Sequence, residues 1–252
     1  MPSDHLLIDV GNGRTKLALA TRDRVLDPQK DTPTPGLSAD SLREVLQGWD
    51  FKNVVVSSVV PKATETLRQF FDGRLLVLKH DIPLGIGIRY PKPETIGADR
   101  LANAVALAHL HGAPGIVIDF GTAVTFDIVE ADACYVGGVI APGLRLMTDY
   151  LHERTALLPH VDLREPESAI GKSTVGAILA GAAIGYRGMV RGILEALRRE
   201  LGDPANLRVI ATGGDAAWIA GGMPEIEAVD DDLTLHGLRL VGNLHAPSPS
   251  PS

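Results

Sequence analysis

The stretch Leu6-Leu7-Ile8-Asp9-Val10-Gly11-Asn12 decides the fold, because residues 116–122, Ile-Val-Ile-Asp-Phe-Gly-Thr, repeat its design. In each copy an apolar run ends in an acid and a glycine turn, and a second strand-like run follows. Such a pattern predicts a strand, a tight turn and another strand. Asp9 and Asp119 lie 110 residues apart, which is nearly half of the 252-residue chain. The repeat therefore predicts duplicated α/β domains, with a chance pair of glycine hairpins as the alternative.

The repeat divides the chain into an N-terminal domain, 1–114, and a C-terminal domain, 115–245. Residues 246–252 alternate proline and serine after an alanine, a composition that predicts a disordered tail. Hydrophobic periodicity predicts helices at 38–48, 95–111 and 174–201, and strands at 53–58, 75–78 and 207–211. The first half of the last helix is rich in Gly and Ala. Small residues let another backbone come close, so we expect this helix to contact a second subunit.

Composition excludes several classes of protein. Apolar residues make up 45% of the chain and charged residues 22%, which excludes a disordered protein. The net charge of −7 and the 4% of aromatic residues argue against nucleic-acid binding. A single cysteine excludes internal disulfides, and the uninterrupted apolar runs are too short for a membrane span. The N-terminus lacks the basic region of a signal peptide, so we expect a cytoplasmic protein.

The turn after Asp9 has the residue types of a phosphate site. Gly11-Asn12-Gly13 allows backbone N–H groups to converge on an anion. The Asp9 carboxylate suits Mg²⁺, directly or through water, and Lys16 supplies a positive charge for a phosphate. An ordinary hairpin with Asn-Gly at its tip is the alternative.

The turn after Asp119 adds Gly121, Thr122 and Thr125. Two such turns, one in each predicted domain, could face each other and hold the phosphates of a nucleotide in an interdomain cleft. Clefts between domains are common ligand sites.

Two further motifs lie at predicted helix starts. Gly97-Ala98-Asp99-Arg100 places an acid in a first helical turn, where it could be a dipole partner or accept a hydroxyl proton. Arg100 could bind an anionic substrate group. Gly171-Lys172-Ser173-Thr174 is not a P-loop, because Pro166 stands where that motif needs glycine. Ser173 or Thr174 is predicted to cap the long helix instead.

Taken together, the motifs resemble those of the type III pantothenate kinases, of the superfamily that includes actin, sugar kinases and Hsp70 nucleotide domains. The matching stretches are Ile-Asp-Val-Gly-Asn at 8–12 with Arg14 and Lys16, Gly-Ala-Asp-Arg at 97–100, Asp-Phe-Gly-Thr-Ala at 119–123 with Thr125 and Asp127, Gly-Gly-Val-Ile-Ala-Pro-Gly at 137–143, Thr-Ala-Leu-Leu-Pro at 155–159, Ile-Gly-Lys-Ser-Thr at 170–174 and Ala-Thr-Gly-Gly-Asp-Ala at 211–216. They follow the family order and span almost the whole chain.

The resemblance implies two ribonuclease-H-like domains, a homodimer and ATP-dependent phosphorylation of pantothenate to 4′-phosphopantothenate, the first step of coenzyme A biosynthesis. It implies that ATP is bound by Asp9, Val10, Gly11, Asn12, Gly13, Arg14, Thr15, Lys16 and Thr122. It implies that pantothenate is bound by Tyr90, Gly97, Ala98, Asp99, Arg100 and Thr174. Asp99 matches the proton acceptor of the family, and Asp119 matches its ligand for K⁺ or NH₄⁺.

Two positions depart from the family pattern. Gly13 stands where the family has Thr or Ser, and Val124 where a second Thr is more usual. Gly13 removes a hydroxyl contact to phosphate but keeps the backbone N–H, so we expect an effect on ATP affinity rather than on the reaction. A sugar kinase of the same superfamily and an inactive actin-like nucleotide-binding regulator are the alternative functions.

Overall fold

The computed structural model describes residues 2–246, so the predicted disordered tail, apart from Ala246, lies outside the described residues. The strands are β1 (Ser3–Val10), β2 (Arg14–Ala20), β3 (Val25–Pro33), β4 (Phe51–Ser58), β5 (Leu76–Val77), β6 (Gly87–Ile88), β7 (Gly115–Phe120), β8 (Ala123–Val129), β9 (Cys134–Pro142), β10 (Arg208–Thr212) and β11 (Ala228–Val229). The α-helices are α1 (Ala39–Val45), α2 (Pro61–Phe70), α3 (Ala98–Ala106), α4 (Leu144–Glu153), α5 (Thr174–Ala180), α6 (Tyr186–Glu200), α7 (Ala216–Ala220) and α8 (Leu233–His245).

The predicted duplication is confirmed by the order of the strands. The first sheet runs β3-β2-β1-β4-β5, and the second runs β9-β8-β7-β10-β11 with β6 added beside β9. In both sheets the strand that carries the acid has a parallel neighbour on one side, β4 for β1 and β10 for β7. The carboxylate stands one residue before the end of its strand in each case. The two halves of the sequence thus build one sheet topology twice.

The chain forms two compact units that differ from the contiguous halves 1–114 and 115–245. One unit comprises 1–113, 129–136 and the C-terminal residues from 232, and the other comprises 114–128 and 137–231. α8 belongs to the first unit because it packs on α3. A side chain on Gly237 would overlap the backbone of Ala102, so only glycine allows the two helices this close an approach.

The two faces of the first sheet are covered by different helices. Leu7 of β1 packs with Leu101 of α3 and Leu238 of α8, all fully buried. Ile8, the next residue, points to the opposite face and joins the core formed with α1 and α2. Because successive side chains of a strand alternate between faces, Asp9 lies on the same face as Leu7, towards α3.

The two helices predicted at 95–111 and 174–201 form with altered turns. The first begins at Ala98 and ends in a wider, π-type turn, Leu107–His111. The second runs through α5 and α6, joined by the π-type turn Gly181–Gly185. Ser173 caps it as predicted, because its Oγ accepts a hydrogen bond from the backbone N of Gly176 at 3.1 Å.

The helix 174–200 is long and apolar enough to cross a membrane by length and composition. Half of its most apolar window is buried inside the structure. Within the described part of the chain it is the one helix that meets this test.

The packing of α8 on α3 generates a stability prediction. Gly237→Ala should lower the free energy of unfolding by about 1–3 kcal/mol, because the new methyl group overlaps Ala102. Gly192→Ala on α6 is the matched control: it has open space, and alanine favours helix, so this variant should gain about 0.5–1 kcal/mol. Thermal melts followed by circular dichroism measure both. Equal melting temperatures would contradict the tight packing at Gly237.

Candidate active site

Three polar side chains form a row across the end of the first sheet. Asp9 on β1 is in register with Lys16 on β2 and with Ser57 on β4. Register partners on neighbouring strands point to the same face, so all three lie on the face that α3 covers. Lys16 is exposed, whereas Ser57 is fully buried. The row places a negatively charged side chain, Asp9, beside a positively charged one, Lys16, at the point where the central strand ends.

The turn after Asp9 presents exposed backbone. The N–H of Gly11 donates to the carbonyl of Arg14 at 3.0 Å, which closes the turn and leaves Asn12 and Gly13 exposed. A Cβ on Gly13 would have nothing within 4 Å in the chain, so glycine is not required there by packing. The Thr or Ser of the family pattern would therefore also fit at position 13.

Two predicted ATP residues have their side chains engaged elsewhere. Arg14 forms an ion pair with Asp31 on β3. Thr15 points to the opposite face from Asp9, where its Oγ1 shares a 2.9 Å hydrogen bond with Thr34. The structure thus places the side chains of Asp9 and Lys16 on one face of the sheet. The Thr15 side chain lies on the other face, so only the backbone of Thr15 is available on the face of Asp9.

Asp99 is held in a defined orientation at the start of α3. The backbone N–H of Arg100 donates to its Oδ1 at 2.8 Å. A side chain on Gly97, the residue before the helix, would overlap that same oxygen. Burial raises the pKa of the Asp99 carboxyl, while the backbone N–H and charge of Arg100 act in the opposite direction. A carboxylate that burial makes more basic is suited to accept a proton.

Tyr90 and Arg100 meet on a residue that the sequence analysis missed. The ring centroid of Tyr90 lies 6.3 Å from that of Tyr135, and Arg100 Cζ lies 5.9 Å from the centre of the same Tyr135 ring. Tyr135 is fully buried on β9, next to β6. It therefore links the predicted Tyr90 to the predicted Gly97–Arg100 segment within the first unit. The sequence around Tyr135, Ala-Cys-Tyr-Val at 133–136, carries no motif that indicates a binding role.

In the second unit, the turn after Asp119 is surrounded by glycine backbone. A Cβ on Gly213, whose φ is +95°, would lie 2.6 Å from Asp119 Oδ1. A side chain on Gly143 would overlap the carbonyls of Gly121 and Thr122, and the N–H of Gly143 donates to the Thr122 carbonyl at 3.0 Å. Gly121 and Thr122 remain exposed. Two close backbone approaches thus fix a turn whose tip is open.

Thr174, the predicted pantothenate residue of the second unit, is exposed at the start of α5. It lines an apolar cavity of about 470 Å³ with residues of α4 and of the turn Gly181–Gly185. The neighbouring Gly171 packs against the backbone of Gly176 and Ala177, and no strand immediately precedes it among the described residues 154–173. This local structure confirms that the stretch 171–174 is a helix start and not a P-loop.

The predicted metal donors, Asp9 and Asp119, are single carboxylates. Among residues 2–246, no three His, Cys, Asp or Glu side chains group closely enough to hold a metal ion between them. Mg²⁺ in phosphoryl-transfer sites is commonly held by one or two carboxylates together with substrate phosphates. Asp9, at the strand end beside an exposed turn, fits that mode of binding.

Solved structures share the fold at low sequence identity. A Campylobacter jejuni protein assigned to the Baf family of transcriptional activators matches with a TM-score of 0.64 and 18% identity, covering 95% of this chain and 98% of its own. An inorganic polyphosphate/ATP-glucomannokinase from Arthrobacter matches with a TM-score of 0.53 and 13% identity, covering 97% and 100%. With the duplicated sheets, these likenesses show that the protein has the two-domain, ribonuclease-H-like fold.

Sequence relatives narrow the class to one family. The family model for type III pantothenate kinase matches residues 5–196. A type III pantothenate kinase from Akkermansia muciniphila is 50% identical over 96% of this chain and 99% of its own. One from Methylacidiphilum infernorum is 43% identical over 95% and 88%. The chain belongs to the type III pantothenate kinase family.

The environment of Asp99 generates a prediction of stability against pH. Because burial raises the folded-state pKa of Asp99, its contribution is most favourable at acid pH and is lost as pH rises through that pKa. Asp99→Asn removes the buried charge and keeps an oxygen for the Arg100 N–H. The variant should therefore melt at a higher temperature than the wild type at pH 7–8, with the gain shrinking towards pH 4. A gain independent of pH would contradict the assigned pKa direction.

Proposed function

We propose that this protein transfers the γ-phosphoryl group of ATP to the primary hydroxyl of pantothenate, giving 4′-phosphopantothenate in the first step of coenzyme A biosynthesis. The observation that carries the proposal is the Asp99 carboxylate, oriented by Gly97 and by the Arg100 N–H in a chain of the type III pantothenate kinase family. The 50% and 43% identical relatives, both named for this activity, support it.

Asp99 is the proposed proton acceptor. Phosphoryl transfer depends mainly on positioning and charge stabilisation, and the acceptor hydroxyl loses its proton to a correctly placed base. Asp99 would accept a hydrogen bond from that hydroxyl and orient its oxygen towards the phosphorus. The pKa raised by burial favours retention of the transferred proton. Because residue 97 is glycine, no side chain occupies the space that the Asp99 carboxylate fills.

The row at the end of the first sheet is the proposed triphosphate site of the first unit. Backbone N–H groups of residues 10–15 would contact the phosphates, and the exposed Lys16 would place a positive charge near one of them. Asp9 would hold Mg²⁺, directly or through water. When bound, Mg²⁺ neutralises charge on the phosphate oxygens.

In the second unit we assign Thr122 to ATP and Asp119 to the monovalent cation, K⁺ or NH₄⁺. Hard cations prefer oxygen ligands, and the Asp119 carboxylate lies where backbone comes close at Gly213. Thr122 stands at the exposed tip of the same turn.

The proposed pantothenate residues are Tyr90, Gly97, Ala98, Arg100 and Thr174, together with Asp99. Arg100 would pair with the carboxylate of pantothenate, because a guanidinium matches a carboxylate with two parallel hydrogen bonds. Its packing on Tyr135, beside Tyr90, limits the positions that the guanidinium can take.

A homodimer is the proposed assembly, and the cytoplasm the proposed location. The second unit carries exposed apolar side chains on α4 and at the following helix, a pattern that marks interaction surfaces. They are Leu146, Met147, Tyr150, Leu151 and Ile184. Gly181 lies beside them with no atom within 4 Å of its would-be Cβ.

The two alternatives have less support than pantothenate phosphorylation. The Arthrobacter glucomannokinase shares the fold at 13% identity, whereas the pantothenate kinase from Akkermansia muciniphila is 50% identical to this chain. An inactive regulator would not need Asp99 buried at a raised pKa, an arrangement that costs stability.

A coupled assay of ADP release tests the function. The wild type should release ADP only when pantothenate and Mg²⁺ are present, more rapidly with K⁺ than with Na⁺. Asp99→Asn should reduce turnover by about 10²–10⁴-fold while largely preserving ATP affinity, because a general base contributes a factor of that size. ADP release that responds to sugars but not to pantothenate would contradict the proposal. Unchanged turnover of the variant would exclude Asp99 as the base.

Sedimentation velocity tests the dimer. Gly181→Leu should shift the protein towards monomer, because the added side chain has room within the protomer but would project into a partner. Glu65→Leu, at an exposed position of α2 in the first unit, is the control and should remain dimeric. A dimer that persists in Gly181→Leu would remove this helix from the interface.

A further inference from the structure

Ser57 has a fully buried hydroxyl group without a hydrogen-bond partner among residues 2–246. Its neighbour Ser58 provides the contrast, since Ser58 Oγ accepts a 2.7 Å hydrogen bond from the Thr64 hydroxyl. Buried hydroxyl groups are nearly always hydrogen-bonded, because an unmet one retains its full desolvation penalty. The hydroxyl of Ser57 is also buried from bulk solvent. A neighbouring protein group that changes position can supply the missing partner.

The strands on either side of β4 identify that group. On one side Ser57 is in register with Asp9. On the other side β5 ends at Val77, opposite Val56, so the next residue, Leu78, lies beside Ser57. Leu78 is apolar, and neighbouring strands are about 4.8 Å apart, so a rotation of the Asp9 side chain can bring a carboxylate oxygen to the Ser57 hydroxyl.

The duplicated second sheet repeats the pair. Thr212 on β10 is in register with Asp119 on β7, as Ser57 is with Asp9. In both units a hydroxyl residue on the parallel neighbour thus stands beside the carboxylate at the end of the central strand. Thr212 is buried as well.

We propose that Ser57 is a positioning residue for Asp9, an inference that rests on the proposed function. Asp9 would hold the magnesium ion of bound ATP through one carboxylate oxygen, and the Ser57 hydroxyl would donate a hydrogen bond to the other oxygen. In the ligand-free protein the Ser57 hydroxyl lacks a hydrogen-bond partner, which lowers the stability of the folded state but keeps the donor in place for Asp9. Ser57 itself touches neither substrate nor metal.

The variant Ser57→Ala separates this role from a structural one. It should raise the melting temperature of the ligand-free protein by about 2–4 °C, because it removes an unsatisfied buried group. It should also weaken Mg²⁺ affinity in the presence of a non-hydrolysable ATP analogue by about tenfold, the usual effect of losing a group that orients a metal ligand. Titration calorimetry with Mg²⁺ in the presence of the analogue measures metal affinity. Titration with the analogue in EDTA measures the metal-independent affinity for the nucleotide. In Ser57→Ala only the Mg²⁺ affinity should change.

Ser58→Ala is the matched control, since it removes a hydroxyl that is already bonded to Thr64. It should lower the melting temperature and leave Mg²⁺ affinity as in the wild type. A lower melting temperature for Ser57→Ala, or a wild-type Mg²⁺ affinity, would overturn the role of Ser57. A wild-type protein that binds the magnesium nucleotide but releases no ADP with pantothenate would instead contradict the proposed function and leave the inference about Ser57 standing.

Discussion

The central strand of each sheet imposes the constraint on which the rest of the structure depends. The middle of each strand, 6–8 in β1 and 116–118 in β7, is apolar and fully buried, and an acid follows it at the penultimate position. A carboxylate can enter such a strand only where the strand ends, because there it reaches the edge of the core. The parallel neighbours β4 and β10 end at the same edge, which brings their hydroxyl residues beside Asp9 and Asp119. The turns that follow can then expose backbone N–H groups next to a negative side chain.

Close backbone approach at glycines leaves room for the polar groups of the candidate sites. Gly97 leaves room for the Asp99 carboxylate, Gly213 for that of Asp119, and Gly143 for the turn that carries Thr122. Each position keeps a polar group where packing alone would not hold it. The raised pKa of Asp99 and the unmet hydroxyl of Ser57 mark two positions in the first unit where stability is lost. Local departures from good packing and full hydrogen bonding are expected where a protein acts on a ligand.

Much of this architecture was predictable from short-range patterns. The repeat around Asp9 and Asp119 predicted the duplicated sheets, and Ser173 predicted the start of the long helix, because strand ends and helix caps depend on neighbouring residues. Contacts between distant segments were not predictable in this way. α8 joins the first unit because Gly237 fits against Ala102 on α3, and neither residue indicates the other in the sequence. Tyr135 is a similar case.

The sequence by itself determined the duplicated α/β fold and the family, and it predicted Asp9, Asp99 and Asp119 as site residues, since each prediction depends on an ordered motif with local chemistry. Only the tertiary structure decided which side chains share a face. It placed Lys16 and Ser57 beside Asp9 and turned Thr15 away, although Thr15 and Lys16 are adjacent in the chain. The physical reason is the two-residue period of a strand: neighbours in sequence point apart, and residues from different strands become neighbours through their register.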